Sequence, residues 1–393
     1  MPEWSISPIL EWISSAGRKL EDDTEFVHEL AKRLDAVGAS VDRLNVTIRT
    51  LNPRIVGTTI RWFKQGDRVE VLRTEHQVRN TDRYIGSPMQ QLFTIKQPIH
   101  QRLDQLPHDA HKTYTDLAAQ GFTDYLAFPI VTSDGLISTF IVNTKAPAGY
   151  SDHDVQNFRT VLDYLAPILE VYSLRYLSSS LMRTYVGKRT GEKVLSGMIM
   201  RGDADIISAA LWFSDLRDFS HLSETLPPQQ VLELLNTYFE FVSAAVTARG
   251  GEILKFVGDA MLIVFPISDT VDSRMACRAA LDSAIDAQDT LSTLNHRQRH
   301  NGLPEIEFGV GLNVGEVVYG NIGAPDRLDF TVIGPAVNRT ARLESLTKEL
   351  NTPILCSGEF AQLIENNVRS LGFHEMKGIG VAPEVFGLAS DND

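Results

Sequence analysis

KFVGDAMLIVF, residues 255 to 265, sets Lys255 and Asp259 inside a run otherwise built from Phe, Val, Met, Leu and Ile. The apolar stretches EILKFV (252–257) and AMLIVF (260–265) read as two strands joined at Gly258-Asp259. Gly supplies the unusual turn angles and Asp tolerates the tip. On that reading alone Asp259 is solvated and chemically idle. Its neighbours along the chain supply a second reading.

Outward from this hairpin the pattern runs strand (207–214), helix (227–248), hairpin (252–265), helix (271–294), strand (306–314), turn, then a helix from Val337 to Glu349. Alternating strands and helices predict an α/β layer, a sheet covered by helices. The strand SAALWFSD (208–215) ends on Asp215, another carboxylate at the end of an apolar run. If these strands are sheet neighbours, the two aspartates converge. Such a pair makes an oxygen-ligand site suited to Mg²⁺ or Mn²⁺, ions commonly held by one or two carboxylates together with substrate phosphates.

Five pieces in this order, LWFSDLRDFSHLSE (211–224), GGEILKFVGDAMLIVF (250–265), GVGLNVGEVVYGNIG (309–323), RLDFTVIGPAVNRTARLE (327–344) and EMKGIG (375–380), resemble the catalytic domain of class III nucleotide cyclases. The resemblance covers residues 206 to about 388 and implies a ferredoxin-like, palm-type fold. It implies that Asp215 and Asp259 bind two divalent ions, Mg²⁺ or Mn²⁺, with the Leu216 carbonyl as a further ligand. Lys255 and Thr331 match the positions that read the purine, in a pattern typical of one adenylyl-cyclase branch. Asn338 and Arg342 match the pair that orients the ribose and stabilises the transition state, and their spacing places both on one helix face. Lys377 matches the lysine that holds the terminal phosphates. The family divides these groups between subunits, so a homodimer with ATP bound in shared sites is expected. GTP as substrate, or a catalytically dead signalling module, are the alternatives. Asp218, Glu316 and Pro335 depart from common family forms; Asp218 is expected to turn away and cap the next helix.

Residues 1–150 are expected to form a separate domain. DTEFVHELAKRLDAVG (23–38) has helical spacing, while RLNVTIRTL (43–51), TTIRWFKQGDRVEVLR (58–73), DYLAFPIV (124–131) and GLISTFIVNTK (135–145) read as strands. This order resembles a GAF-type sensor domain, an antiparallel sheet with packed helices, and implies a small-molecule ligand. Bicarbonate, a cyclic nucleotide, another metabolite or a protein partner all fit. Trp62, Tyr125 and Phe128 line a cavity or pack the core. Residues 151–205 read as a long connecting helix and a linker, and residues 206–393 as the catalytic domain. The helix carries an apolar stripe through Phe158, Val161, Leu162, Leu165, Ile168, Leu169 and Tyr172, interrupted or kinked at Pro167. That stripe serves either a dimer or its own domain.

Composition narrows the class. The 393 residues are 43% hydrophobic and 22% charged, ordinary for globular domains. A formal net charge of -13 without a basic run argues against nucleic-acid binding. Apolar runs are too short for a membrane span, and the first residues lack signal-peptide character, so a cytoplasmic location without membrane insertion is expected. Cys277 and Cys356 read as reduced core residues, and His108 with His111 lacks a third metal ligand. GVGLNVG and GKRTGEK do not match phosphate-loop spacings and read as strand and turn glycines.

Overall fold

The computed structural model describes residues 4–50, 52, 55–81, 83–133, 135–300, 305–364 and 368–389. Its two compact units divide between Leu181 and Met182. The fold is mixed α and β in both.

The first unit contains α1 (Ser7–Ser14), α2 (Asp23–Ala36), β1 (Arg43–Arg49), β2 (Ile55–Phe63), β3 (Arg68–Glu75), α3 (Pro88–Ile95), β4 (Ile99–Arg102), α4 (Lys112–Ala119), β5 (Asp124–Val131), β6 (Ile137–Thr144) and most of α5 (Asp152–Tyr185). Asp22 starts α2 by accepting the Glu25 amide at 2.8 Å. Leu51, the last residue of the expected first strand, lies outside the described residues. Its six strands pair antiparallel throughout, in the order β3-β2-β1-β6-β5-β4.

Strand alternation sorts the side chains onto two faces. Leu44, Val46, Ile48, Ile60, Trp62, Phe128 and Phe140 join the core formed with α1, α2 and α5. The intervening residues, among them Arg43, Asn45, Thr47 and Arg61, face α3 and α4 with Tyr125. Trp62 and Phe128 are therefore core residues, whereas Tyr125 lines a cavity. The α5 stripe of Phe158, Val161, Leu165 and Leu169 is buried in this unit's own core, and the helix runs through Pro167 without interruption.

The second unit contains α6 (Lys188–Leu195), β7 (Ala204–Leu216), α7 (Phe219–Thr225), α8 (Pro228–Ala248), β8 (Glu252–Val257), β9 (Ala260–Pro266), α9 (Ser273–His300), β10 (Phe308–Ala324), β11 (Arg327–Ile333), α10 (Pro335–Glu349), β12 (Ile354–Ser357), α11 (Gly358–Ile364), β13 (Val368–Phe373) and β14 (Glu384–Leu388). The main path of its sheet is β13-β14-β12-β10-β7-β9-β8, with β11 paired to β10. Trp212 and Tyr238 are fully buried between the sheet and helices α8, α9 and α11, each such side chain contributing about 2–3 kcal/mol of hydrophobic stabilisation. Leu343 and Leu346 of α10 pack with Leu355 and Val385 in a separate cluster. Both cysteines are free and buried, and burial pushes their thiols up to about 12.

Two expectations need correction. The strand expected to end at 314 continues as β10 to Ala324 before returning as β11. GKRTGEK is a helix start rather than strand and turn, and the linker around it is packed: the amides of Arg189 and Thr190 donate to Glu252 Oε1, and the Thr190 hydroxyl meets the Tyr319 hydroxyl at 2.6 Å.

Candidate active site

Asp215 and Asp259 come together because β7 and β9 are antiparallel neighbours, with Ser214 opposite Met261. Asp259 sits in the two-residue turn between Val257 and Ala260, where Gly258 has a φ of 66°. Asp215 is partly buried and is pushed up to about 7 by burial first, then by its hydrogen bond to Asp259 and that carboxylate's charge; a backbone hydrogen bond from Leu216 opposes the shift. Its Oδ1 is buried and has no hydrogen-bond partner among the described residues. Leu216 follows at the strand end, buried and opposite Phe308.

A third carboxylate belongs to this centre and had no role in the sequence reading. Gly309, the β10 residue opposite Asp215, and Gly311 let α10 approach the sheet. A Cβ at Gly309 would stand 2.1 Å from Thr347 Oγ1 and 2.9 Å from Glu344 Oε1; at Gly311 it would stand 2.3 Å from the Thr340 carbonyl. The glycines of GVG are strand residues, as their spacing suggested, and not a nucleotide loop. They admit Glu344, whose carboxyl is also pushed up to about 7, by burial first and then by Asp215, with Arg217 opposing. Asp215 itself has, among the described residues, no cationic side chain offsetting its shift. An all-oxygen donor pair with an orphaned carboxylate oxygen and surplus negative charge fits a hard divalent cation.

The purine-reading candidates lie elsewhere on the sheet. Lys255 of β8 donates to Asp329 of β11, and Thr331 follows two residues later on the same strand face. Thr331 pairs with Gly320, near the far end of β10 from Gly309. A cavity of about 790 Å³ is lined by Lys255, Phe256, Asp329 and Phe330 together with residues 183–189, and neither Asp215 nor Asp259 borders it.

Asn338 and Arg342 are exposed on α10, one turn apart, and Lys377 is exposed in the turn after buried Met376. Pro335 occupies the first turn of α10, where its missing N–H costs nothing. Asp218 does precede α7, but its side chain makes no capping bond. Its backbone is left-handed, with φ of 53°, a conformation natural to glycine and tolerated by aspartate, and its carboxylate pairs with Lys348 at 2.6 Å. Glu316 is exposed on β10 opposite Ser208.

Residues 204–384 match the model of the adenylate and guanylate cyclase catalytic domain. This segment is a class III cyclase catalytic domain. The cyclase domain is 35% identical over 178 residues to adenylate cyclase 1 of Rhizobium meliloti (strain 1021), a match that covers 44% of this chain and 26% of that protein. It is 37% identical over 163 residues to the terminal-differentiation-specific adenylate cyclase of Dictyostelium discoideum, covering 41% of this chain and 7% of that one. The chain thus spans about a quarter of the first relative's length and less of the second's. Among solved structures, the adenylyl cyclase CyaB of P. aeruginosa is 30% identical, with a TM-score of 0.44, over 48% of this chain and 96% of that one.

In the first unit, His111 accepts the Thr113 amide at the start of α4 at 3.1 Å, a structural task independent of any ion. Among the described residues no cluster of three or more His, Cys, Asp or Glu side chains has metal-site geometry, so the metal assignment rests on the Asp215–Asp259 pair and its surroundings. No described helix is long and apolar enough to cross a membrane.

Proposed function

We propose that the chain is an adenylate cyclase, converting ATP to 3′,5′-cyclic AMP and pyrophosphate as a homodimer, under control of its first unit acting as a GAF-like sensor. The observation that carries the choice of ATP is the ion pair of Lys255 with Asp329, the β11 residue two before Thr331. The ammonium is a donor held where a purine would be read; it complements the ring N1 acceptor of adenine, whereas guanine carries a hydrogen there.

In the reaction the ribose 3′-oxygen forms a bond to the α-phosphorus, the bond from that phosphorus to the bridging oxygen breaks, pyrophosphate leaves, and the hydroxyl proton passes to solvent. Asp215, Asp259 and the Leu216 carbonyl would hold two divalent ions, Mg²⁺ or Mn²⁺, which when bound supply the charge that acidifies the hydroxyl and neutralises the triphosphate. Arg342 presents a planar array of donors to charge developing on the α-phosphate, and Asn338 orients the ribose. Lys377 holds the terminal phosphates, and Thr331 completes the reading of adenine.

The separation of the carboxylate pair from Lys255 and Thr331 on one sheet supports sites shared between subunits. Each interface would then combine the aspartates of one chain with Lys255, Thr331, Asn338 and Arg342 of the other. The test is product formation from ATP and from GTP by the purified chain with Mg²⁺ or Mn²⁺. Cyclic AMP lost in Asp259→Ala supports the reading; cyclic GMP as the main product overturns the assignment of Lys255 and Thr331.

A further inference from the structure

A space rich in arginine lies in the first unit, although the chain as a whole carries a formal net charge of -13. A cavity of about 240 Å³, roughly the liquid volume of eight waters, separates the sheet from α3 and α4. Arg43, Arg49, Arg61 and Arg83 line it, and among the described residues no aspartate or glutamate does. Concentrating guanidinium groups where no described carboxylate lines the pocket is electrostatically costly. Burial and the neighbouring Arg61 push Arg43 down to about 10; Arg61 is lowered by burial and by Arg83 and Arg68, with Glu70, 3.6 Å away, offsetting part of the shift.

Two of these cations are held in place. Asn45 Oδ1 accepts from Arg43 Nε at 3.3 Å and from Arg61 Nε at 3.1 Å, so a single acceptor sets both guanidinium groups side by side. Arg43, Arg61 and Arg83 also border an adjoining cleft of about 740 Å³, which puts them at the mouth of the inner cavity. The lining also carries apolar side chains, Val56, Met89, Phe93 and Ile141, with the Arg49 guanidinium 5.1 Å over the Phe93 ring. Fully buried Asn143 also lines the cavity, and its Oδ1 has no hydrogen-bond partner among the described residues. Buried polar atoms are seldom left so in a finished core.

We propose that this cavity is a binding site for a small organic anion, whose carboxylate or phosphate head sits between Arg43, Arg61 and Arg83 and whose apolar body reaches past them toward Phe93. The guanidinium forks match either head group bidentately, and the apolar wall recognises a ring or short hydrocarbon body. Asn143 offers an acceptor to a hydroxyl on that body. The inference concerns binding by the first unit and stands whether or not the second unit makes cyclic AMP.

The experiment is calorimetric titration of the full chain with three probes: 4-hydroxybenzoate for the carboxylate head, phenyl phosphate for the phosphate head, and 4-hydroxybenzamide as neutral control. At least one anion should bind at least about tenfold more tightly than the amide, and the tighter of the two identifies the head group. Arg83 is exposed, so Arg83→Gln should keep the wild-type thermal midpoint while weakening the anion at least about tenfold; Arg43→Gln should act in the same direction. Equal binding of anion and amide, anion binding unchanged in the folded Arg83→Gln protein, or no binding of either anion would overturn the proposal.

Discussion

Lys255 and Asp329 form an ion pair between β8 and the β10–β11 hairpin, two residues before Thr331 on β11. Both side chains are substantially exposed, so the pair adds little to stability and its consequence is positional. Asp329→Asn should leave the thermal midpoint unchanged and lower kcat/KM for ATP by about tenfold, the value of one well-placed hydrogen bond. Lys255→Glu should shift preference toward GTP. Steady-state kinetics with both nucleotides checks each outcome.

Asp215 and Glu344 are carboxyls pushed up to about 7, by burial first in both, then by Asp259 acting on Asp215 and by Asp215 acting on Glu344. Their pKa values are raised on folding, so the folded state binds more protons than the unfolded chain above the ordinary carboxylate range. Stability of the metal-free protein should therefore fall as pH rises from about 4 to about 7. Asp215→Asn and Glu344→Gln should each raise the metal-free melting temperature at neutral pH, by a few degrees, while Asp215→Asn abolishes turnover. Calorimetry of the chelator-treated protein from pH 4 to 8 provides the check.

Arg342 is exposed on α10 one turn after Asn338. A group that meets charge only in the transition state affects kcat rather than ground-state affinity. Arg342→Ala should lower kcat about a hundredfold or more with KM changed by less than about threefold. A rise in KM at unchanged kcat would assign Arg342 to ground-state binding instead.

The first unit has its own pH response. His100 Nε2 lies 2.9 Å from the carboxylate of fully buried Asp124, and that hydrogen bond raises the His100 pKa, with burial opposing. A histidine raised on folding stabilises fully below its unfolded value of about 6.5 and loses that contribution as pH climbs through the raised folded value. The first unit's melting temperature should decline across this window, and His100→Gln should remove that part of the decline.

Much of this was written locally in the chain. Apolar runs marked β7, β8 and β9, and the carboxylates ending two of them were legible as a pair because antiparallel neighbours bring strand ends together. Glu344 and Asp329 lay inside the very stretch that carried the family resemblance, yet their roles depend on distant partners. Glu344 reaches the site only because Gly309 and Gly311 let α10 settle on β10, and Asp329 meets Lys255 only because β10 runs on and folds back as β11. The arginine cavity was hidden for a similar reason: Arg43 and Arg61 look like ordinary solvated strand residues until α3 and α4 cover that face. Periodicity reports which face a residue takes, not what lies over it.

The shared-site account is tested most directly by mixing two inactive chains, Asp259→Ala and Arg342→Ala, and measuring cyclic AMP formed from ATP. One of the two interface sites in each mixed dimer would keep both its aspartates and its arginine, so activity should reappear, reaching about a quarter of wild type at equal mixing if half the dimers are mixed and each has one intact site. Silence from a mixture in which heterodimers are shown to form would contradict the account.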